Sequence, residues 1–240
     1  MKLLIDSGNS RLKWALLDAK GHLTTFAIIN QNLTRTQLIA EWSAYLLPEL
    51  VLISSVASNT LLSLLTEVIT DLWPNVQISV VKTQAQAYGV SNAYKEANRL
   101  GVDRWLAVIA AHHYYPGDSC IVDCGTAITV DVINADGTHQ GGLISPGLVL
   151  MKKALAQDTA SLPYDSTSFP VGLANTTGAG IYNGTLYAAV GLIERVLRQQ
   201  PTETQLIMTG GDAELIAAQL TIPLVIDANL VFKGLAIIAK

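Results

Sequence analysis

The same short pattern occurs twice in this chain, about half its length apart. Ile5-Asp6-Ser7-Gly8-Asn9 and Val122-Asp123-Cys124-Gly125-Thr126 each place an aspartate and a glycine directly after an apolar strand, and another apolar strand follows each. The two aspartates are 117 positions apart in a chain of 240 residues. Repetition on this scale predicts a duplicated α/β fold with two similar halves, residues 1–115 and 116–240, and a central cleft.

Apolar spacing between and after the two repeats predicts alternating strands and helices. The segments with strand-like runs are residues 2–5, 12–17, 23–29, 51–54, 77–81, 119–122, 128–133, 139–144 and 205–208. The segments with helical spacing are residues 34–47, 60–73, 100–115, 177–199 and a last one ending at residue 220. Asp136-Gly137 predicts a plain hairpin turn, and no Gly-, Pro- or Ser-rich linker separates the halves.

Composition excludes several classes of protein. The formal net charge is −4 and the 15 Lys and Arg residues are scattered, so the chain has no basic patch for nucleic acid. Its apolar runs are far shorter than the roughly 20 residues that span a bilayer, and Asp6 interrupts the N-terminus before a secretory segment could form. We therefore expect a cytoplasmic protein that binds neither membranes nor nucleic acid, with Cys120 and Cys124 as buried thiols.

The repeated Asp-x-Gly turns have the composition of a phosphate-binding site. Glycine lets the backbone N–H groups approach a phosphate, a hydroxyl or amide can donate to it, and the aspartate can face a cation. Alternation along the next strand could point Lys13 toward the same phosphates. A single turn of this kind would more simply close a hairpin. Two copies in the same strand context favour nucleotide binding.

Other nucleotide signatures are weak or missing. The sequence contains no Gly-x-x-x-x-Gly-Lys-Ser/Thr motif, and the glycines of residues 178–184 have one residue too many for a dinucleotide fingerprint. Thr209-Gly210-Gly211-Asp212 follows a strand and opens a helix, where an adenine or ribose could lie against the backbone. An ordinary strand-to-helix turn capped by Asp212 is the alternative.

Gly101-Val102-Asp103-Arg104 begins a predicted helix and carries two charges that do not face each other. In a functional interpretation, Asp103 orients or deprotonates a substrate hydroxyl and Arg104 holds a substrate carboxylate. The alternative is a capped helix start with a solvated arginine.

Five motifs in this order and spacing resemble type III pantothenate kinases over essentially the whole chain. They are residues 6–13, 100–105, 123–126, 141–147 and 209–212. The resemblance implies a duplicated ribonuclease H-like fold of the actin-like ATPase class and a homodimer. It also implies ATP-dependent phosphorylation of pantothenate to 4′-phosphopantothenate, the first step of coenzyme A synthesis.

The resemblance also implies roles for individual residues. Asp103 is the implied proton acceptor, and Asp123 the ligand of a monovalent cation, K⁺ or NH₄⁺, that accompanies Mg²⁺ and ATP. The implied ATP-binding residues are Asp6, Ser7, Gly8, Asn9, Ser10, Arg11, Leu12, Lys13 and Thr126. The implied pantothenate-binding residues are Tyr94, Gly101, Val102, Asp103, Arg104 and Thr177, with Thr176 as the alternative to Thr177.

The sequence differs from the family pattern at one place, and two other classes of function are possible alternatives. Many relatives carry a proline between Tyr94 and Leu100, whereas this chain reads Lys95-Glu96-Ala97-Asn98-Arg99. Fold alone does not name a substrate, so a sugar kinase or a polyphosphatase is one alternative. A regulatory relative without catalysis, of the kind described as an accessory factor in transcription, is the other.

Overall fold

The computed structural model describes residues 1–159, 162 and 164–240, which form two compact units. The first unit consists of Met1–Tyr114 and Asn229–Lys240, and the second of Tyr115–Ala228. Within the described residues, no helix has the length and apolarity to cross a membrane.

The first unit is built on a five-stranded sheet with the order β3-β2-β1-β4-β5. Its strands are β1 (Lys2–Ser7), β2 (Arg11–Leu17), β3 (Leu23–Ile29), β4 (Leu50–Ser55) and β5 (Gln77–Val80), followed by a hairpin of β6 (Gln86–Ala87) and β7 (Val90–Ser91). Its helices are α1 (Arg35–Trp42), α2 (Asn59–Leu72), a 3₁₀ turn (Ala97–Arg99), α3 (Val102–Tyr114) and the C-terminal α7 (Leu230–Ile238). The first three strands are antiparallel, whereas β4 and β5 run parallel to β1.

Side-chain alternation along β1 and β2 gives this sheet two buried faces. Leu3, Ile5 and Trp14 pack with α1 and α2 on one face. Leu4 and Ala15 pack with α3 and α7 on the other. Helix α1 begins at a capping box between Thr34 and Gln37, and α2 begins after Ser58, whose side chain accepts from the N–H of Leu61.

The second unit repeats the plan of the first. Its strands are β8 (Ser119–Cys124), β9 (Ala127–Ile133), β10 (His139–Pro146), β11 (Gln205–Thr209) and β12 (Leu224–Ile226), in the order β10-β9-β8-β11-β12. Its helices are α4 (Leu148–Asp158), α5 (Thr177–Leu197) and α6 (Ala213–Ala217). Strands β8, β9 and β10 are antiparallel, and β11 and β12 are parallel to β8. The duplication predicted from the sequence repeat is confirmed, with Asp6 and Asp123 near the ends of the equivalent central strands β1 and β8.

Several elements differ from the sequence expectation. Helix α1 ends at Trp42 instead of residue 47; Pro48 disfavours helical backbone at Leu47, and Leu46 and Leu47 are exposed. Helices α4 and α7 were not predicted. The expected second half comprised residues 116–240, but residues 229–240 pack in the first unit because α7 buries Phe232 and Leu235 against β1, β2 and α3.

The contact between α3 and α7 depends on a glycine. A Cβ atom added at Gly234 would lie 2.3 Å from the carbonyl oxygen of Leu106, a backbone atom that cannot rotate away. Gly234→Ala is therefore expected to lower the free energy of unfolding by about 1–3 kcal/mol, measured by urea denaturation. The matched control is Gly191→Ala within α5, where a Cβ meets no heavy atom within 4 Å and helix propensity favours alanine by about 1 kcal/mol. A Gly234→Ala protein as stable as the control would contradict the close approach of the two helices.

Candidate active site

Asp6 lies near the end of β1 with a carboxylate that is almost completely buried, since the residue is 8% exposed. The hydroxyl of Ser54 donates to Asp6 Oδ1 at 3.4 Å. Lys13 is the cross-strand partner of Asp6, and such partners project from the same face of a sheet. The side chain of Lys13 is thus on the same face of the sheet as Asp6, as strand alternation predicts.

The turn after Asp6 is held by hydrogen bonds of its own backbone and of Asn30. The N–H of Gly8 donates to the carbonyl of Arg11 at 3.1 Å, and the N–H of Asn30 donates to the carbonyl of Ser10 at 3.0 Å. The side chain of Asn30 also donates to the carbonyl of Gly8 at 2.6 Å. Asn9, Ser10 and Arg11 remain exposed at the tip. Asn30 fixes this turn, and its only sequence signal is a polar residue at the end of β3.

Asp103 lies in the first turn of α3, where its Oδ1 atom accepts from the N–H of Arg104 at 2.8 Å. A Cβ at position 101 would lie 2.6 Å from the same oxygen, so glycine at that position leaves the space that the carboxylate occupies. The neighbouring Val102 packs in one cluster with Leu4 of β1. The start of α3 therefore covers the face of the sheet that carries Asp6.

Arg104 and Tyr94, ten positions apart, are brought together. Arg104 Nη1 donates to the hydroxyl of Tyr94 at 2.9 Å, and the guanidinium carbon lies 5.7 Å from the centre of the tyrosine ring. Arg104 is only 6% exposed, so the alternative of a solvated arginine is wrong. A buried cation with several donors is suited to hold a carboxylate.

In the second unit, Asp123 lies near the end of β8 between two threonines. Thr129 on β9 and Thr209 on β11 are its cross-strand partners, which share its face of the sheet. Gly210 has φ +95°, and a Cβ there would lie 2.5 Å from Asp123 Oδ1. Position 210 therefore requires glycine, both because of its positive φ and because a side chain would collide with Asp123. The N–H of Asp212 donates to the carbonyl of Cys124 at 3.0 Å, which ties the glycine pair to the Asp-x-Gly turn.

A third predicted motif meets the same turn. The N–H of Gly147 donates to the carbonyl of Thr126 at 2.9 Å, and a Cβ at Gly147 would lie 2.2 Å from the carbonyl oxygen of Gly125. Thr126 itself is exposed. The motifs at residues 123–126, 141–147 and 209–212, which are distant in sequence, therefore converge at one edge of the second sheet.

The two thiols have no part in this chemistry. Burial, followed by the charges of Asp123 and Asp212, raises the pKa of Cys124 to about 12. Burial and the charge of Asp131 raise the pKa of Cys120 to about 12 as well. Both thiols are buried and stay protonated near neutral pH, as the sequence interpretation expected.

The donors near Asp123 are suited to a hard cation. Carboxylate, hydroxyl and carbonyl oxygens are the ligands that such ions take, and the space beside Asp123 Oδ1 that Gly210 leaves is of the kind that a Cβ would fill. Among residues 1–159, 162 and 164–240, no group of three or more His, Cys, Asp and Glu side chains could hold a metal ion.

Thr176 and Thr177 begin α5 and have different roles there. The hydroxyl of Thr176 accepts from the N–H of Ala179 at 3.4 Å as the helix cap. Thr177 instead lines a groove of about 770 Å³ between α4 and α5, together with the apolar side chains of Met151, Leu155 and Ile181. Of the two alternatives, Thr177 has the side chain next to a cavity.

Comparisons with known proteins show which family the chain resembles. A family model described as type III pantothenate kinase matches residues 2–199. A type III pantothenate kinase of Nitrosococcus oceani is 37% identical over 257 aligned residues, which cover 100% of this chain and 94% of the relative.

Two solved structures share the fold. A protein of Campylobacter jejuni described as a Baf family transcriptional activator has a TM-score of 0.64 and 23% identity, covering 99% of this chain and 97% of its own. A protein of Sinorhizobium meliloti described as a 2-dehydro-3-deoxygalactonokinase has a TM-score of 0.61 and 14% identity, covering 100% and 98%. At these identities the likeness concerns the fold alone. With the matching sheet orders, it confirms the predicted duplicated ribonuclease H-like fold.

Proposed function

The chain belongs to the type III pantothenate kinase family, and on that premise we propose that it transfers the γ-phosphate of ATP to the primary hydroxyl of pantothenate. The product is 4′-phosphopantothenate, in the first step of coenzyme A synthesis. The single observation that carries the assignment is the arrangement at the start of α3, where Asp103 occupies the space left by Gly101 and Arg104 contacts Tyr94. The cytoplasm as the site of the reaction is part of the proposal.

Asp103 has the role of the base in this mechanism. Phosphoryl transfer depends mainly on in-line placement and on charge stabilisation, so a carboxylate that aligns the attacking hydroxyl and accepts its proton is sufficient. The hydrogen bond from the N–H of Arg104 to Oδ1 fixes the Asp103 carboxylate at the start of α3. The guanidinium of Arg104, supported by Tyr94, binds the carboxylate of pantothenate.

The residues proposed to contact ATP are Asp6 to Lys13 and Thr126. Backbone N–H groups of the exposed turn and the Lys13 ammonium neutralise phosphate charge. Asp6 would hold the Mg²⁺ that accompanies ATP, and Asp123, with Thr129 and Thr209, would hold K⁺ or NH₄⁺. When bound, these cations supply neutralisation of the charge on the polyphosphate.

A homodimer is part of the same proposal. The second unit exposes Leu143 and Ile144 on β10, Val149, Leu150 and Leu155 on α4 and Tyr187 on α5, and Leu155 lines the same groove as Thr177. A patch of this kind is typical of a surface that another protein covers.

Thr177 is proposed as a pantothenate contact.

The role of the first turn can be tested through Asn30. Asn30→Ala removes the side-chain donor to the carbonyl of Gly8, so the turn is held less firmly. A hydrogen bond of this type contributes about 1 kcal/mol, and we expect the KM for ATP to rise about fivefold while the KM for pantothenate is unchanged. The control is Gln31→Ala at the exposed neighbouring position. A rise in the pantothenate KM alone would contradict the assignment of this turn to ATP.

The substrate assignment can be tested with a panel of acceptors. Purified protein with Mg²⁺-ATP and K⁺ is expected to phosphorylate pantothenate and to leave glucose, other sugars and 2-dehydro-3-deoxygalactonate unmodified, with products identified by mass spectrometry. Phosphorylation of a sugar in preference to pantothenate would assign the chain to a different kinase activity on the same fold. No consumption of ATP with any acceptor would favour the non-catalytic alternative.

A further inference from the structure

The segment that carries Tyr94 is organised around one side chain, that of Asn92. Its Oδ1 atom accepts from the N–H of Tyr94 at 2.9 Å, and its Nδ2 group donates to the carbonyls of Gln84 and Ala97, each at 3.3 Å. The backbone N–H of Asn92 donates to the carbonyl of Ala85 at 2.9 Å. Asn92 thus connects both ends of the segment with the residue that contacts Arg104.

Both flanks of this segment are fixed to the rest of the first unit. Tyr88 and Gly89 have φ +53° and +77° and form the turn of the β6 and β7 hairpin, and a Cβ at Gly89 would lie 3.1 Å from the ring of His112 on α3. At the other end, the hydroxyl of Thr83 donates to the carbonyl of Leu100 at 2.9 Å. Between these anchors, Asn92 has the side chain that holds Ala97, Gln84 and Tyr94 together.

We propose that Asn92 is a positioning residue for pantothenate, which acts by holding Tyr94 against the guanidinium of Arg104. The inference rests on the proposed function, because it takes Tyr94 and Arg104 as substrate contacts. Asn92 supplies one acceptor and two donor hydrogens, and an asparagine amide can serve both needs at once. The Nδ2 bond to Ala97 restrains the backbone where the 3₁₀ turn begins.

Loss of the amide is expected to act on substrate binding more than on phosphoryl transfer. Without it, the N–H of Tyr94 loses its acceptor and the tyrosine is free to leave Arg104. The guanidinium then loses the neighbour that keeps it in place for a carboxylate. Asp103 is held separately, by the N–H of Arg104 and the start of α3, so the chemical step should be less affected.

The test is Asn92→Ala, compared with Asn98→Ala in the same segment, where the asparagine is exposed. We expect Asn92→Ala to raise the pantothenate KM by about tenfold or more, since several hydrogen bonds are lost, with kcat and the KM for ATP close to wild type. Asn98→Ala should behave as wild type in all three constants. Asn92→Ala with an unchanged pantothenate KM, or with equal losses for both substrates, would overturn the proposal.

A double-mutant cycle separates positioning from general loosening of the fold. Tyr94→Phe removes the hydroxyl that accepts from Arg104, so adding Asn92→Ala to it should raise the pantothenate KM much less than in the wild-type background. Fully additive effects would show that Asn92 does not act through this contact. If wild-type protein fails to phosphorylate pantothenate, the proposed function is lost. If wild type is active and Asn92→Ala equals it, only the role of Asn92 is lost.

Discussion

Asp103→Asn is expected to lower kcat for pantothenate phosphorylation by about 100- to 10,000-fold, the range typical of a lost general base. Asparagine has nearly the same shape and can still accept from the N–H of Arg104, so the start of α3 should be preserved. The KM for ATP should stay close to the wild-type value, because the proposed ATP contacts lie in residues 6–13 and at Thr126. Steady-state kinetics with each substrate varied in turn measures all three quantities.

The matched control for Asp103→Asn is Glu96→Gln, which neutralises an exposed carboxylate in the segment before Gly101. Its kcat should equal that of wild type. Thermal unfolding of both variants shows whether they are folded. A folded Asp103→Asn protein with wild-type turnover would remove Asp103 from the catalytic role.

Arg104→Ala is expected to raise the KM for pantothenate by about 10- to 150-fold, which corresponds to about 1.5–3 kcal/mol for a hydrogen bond to a charged group. Arg104 is buried and its Nη1 donates to Tyr94, so alanine removes both the charge and the neighbour of the tyrosine. The KM for ATP should not change. Arg104→Lys keeps the charge but not the planar fork, and should fall between alanine and wild type.

The control for Arg104→Ala is Arg99→Ala, because Arg99 is an exposed arginine of the same segment that pairs only at the surface with Glu96. Exposed pairs contribute little, so its kinetics should match those of wild type. A change confined to the KM for ATP in Arg104→Ala would show that the substrate assignment is wrong.

Much of this fold could be predicted because its signals are local. The repeat around Asp6 and Asp123 gave the duplication, and alternating apolar residues gave the central strands of both sheets. The Asp136-Gly137 turn closes the hairpin between β9 and β10, as expected, with Gly137 at φ +86°. Signals of this kind need only near neighbours in the sequence.

The features that could not be predicted depend on contacts between distant segments. The return of α7 to the first unit depends on how its apolar face fits α3, a contact between segments that are distant in the sequence. Asn30 and Asn92 are ordinary polar residues in sequence. Their importance comes from the carbonyls that the fold brings to their side chains, at Gly8 for Asn30 and at Gln84 and Ala97 for Asn92.

Within the site, the residue types could be predicted from the sequence, but the contacts between them could not. The residue types of Gly101-Val102-Asp103-Arg104 point to a substrate site. The need for glycine at position 101 follows only from the structure, in which a Cβ there would lie 2.6 Å from the Asp103 carboxylate. The convergence of residues 123–126, 141–147 and 209–212 likewise appears only in the folded second unit.

The most direct test of the central claim is ADP release by the purified protein, measured with Mg²⁺-ATP in the presence and absence of pantothenate and of K⁺. The proposed function predicts release that requires pantothenate, increases with K⁺ and matches the 4′-phosphopantothenate formed mole for mole. Release at the same rate without pantothenate, or no release under any of these conditions, would contradict it.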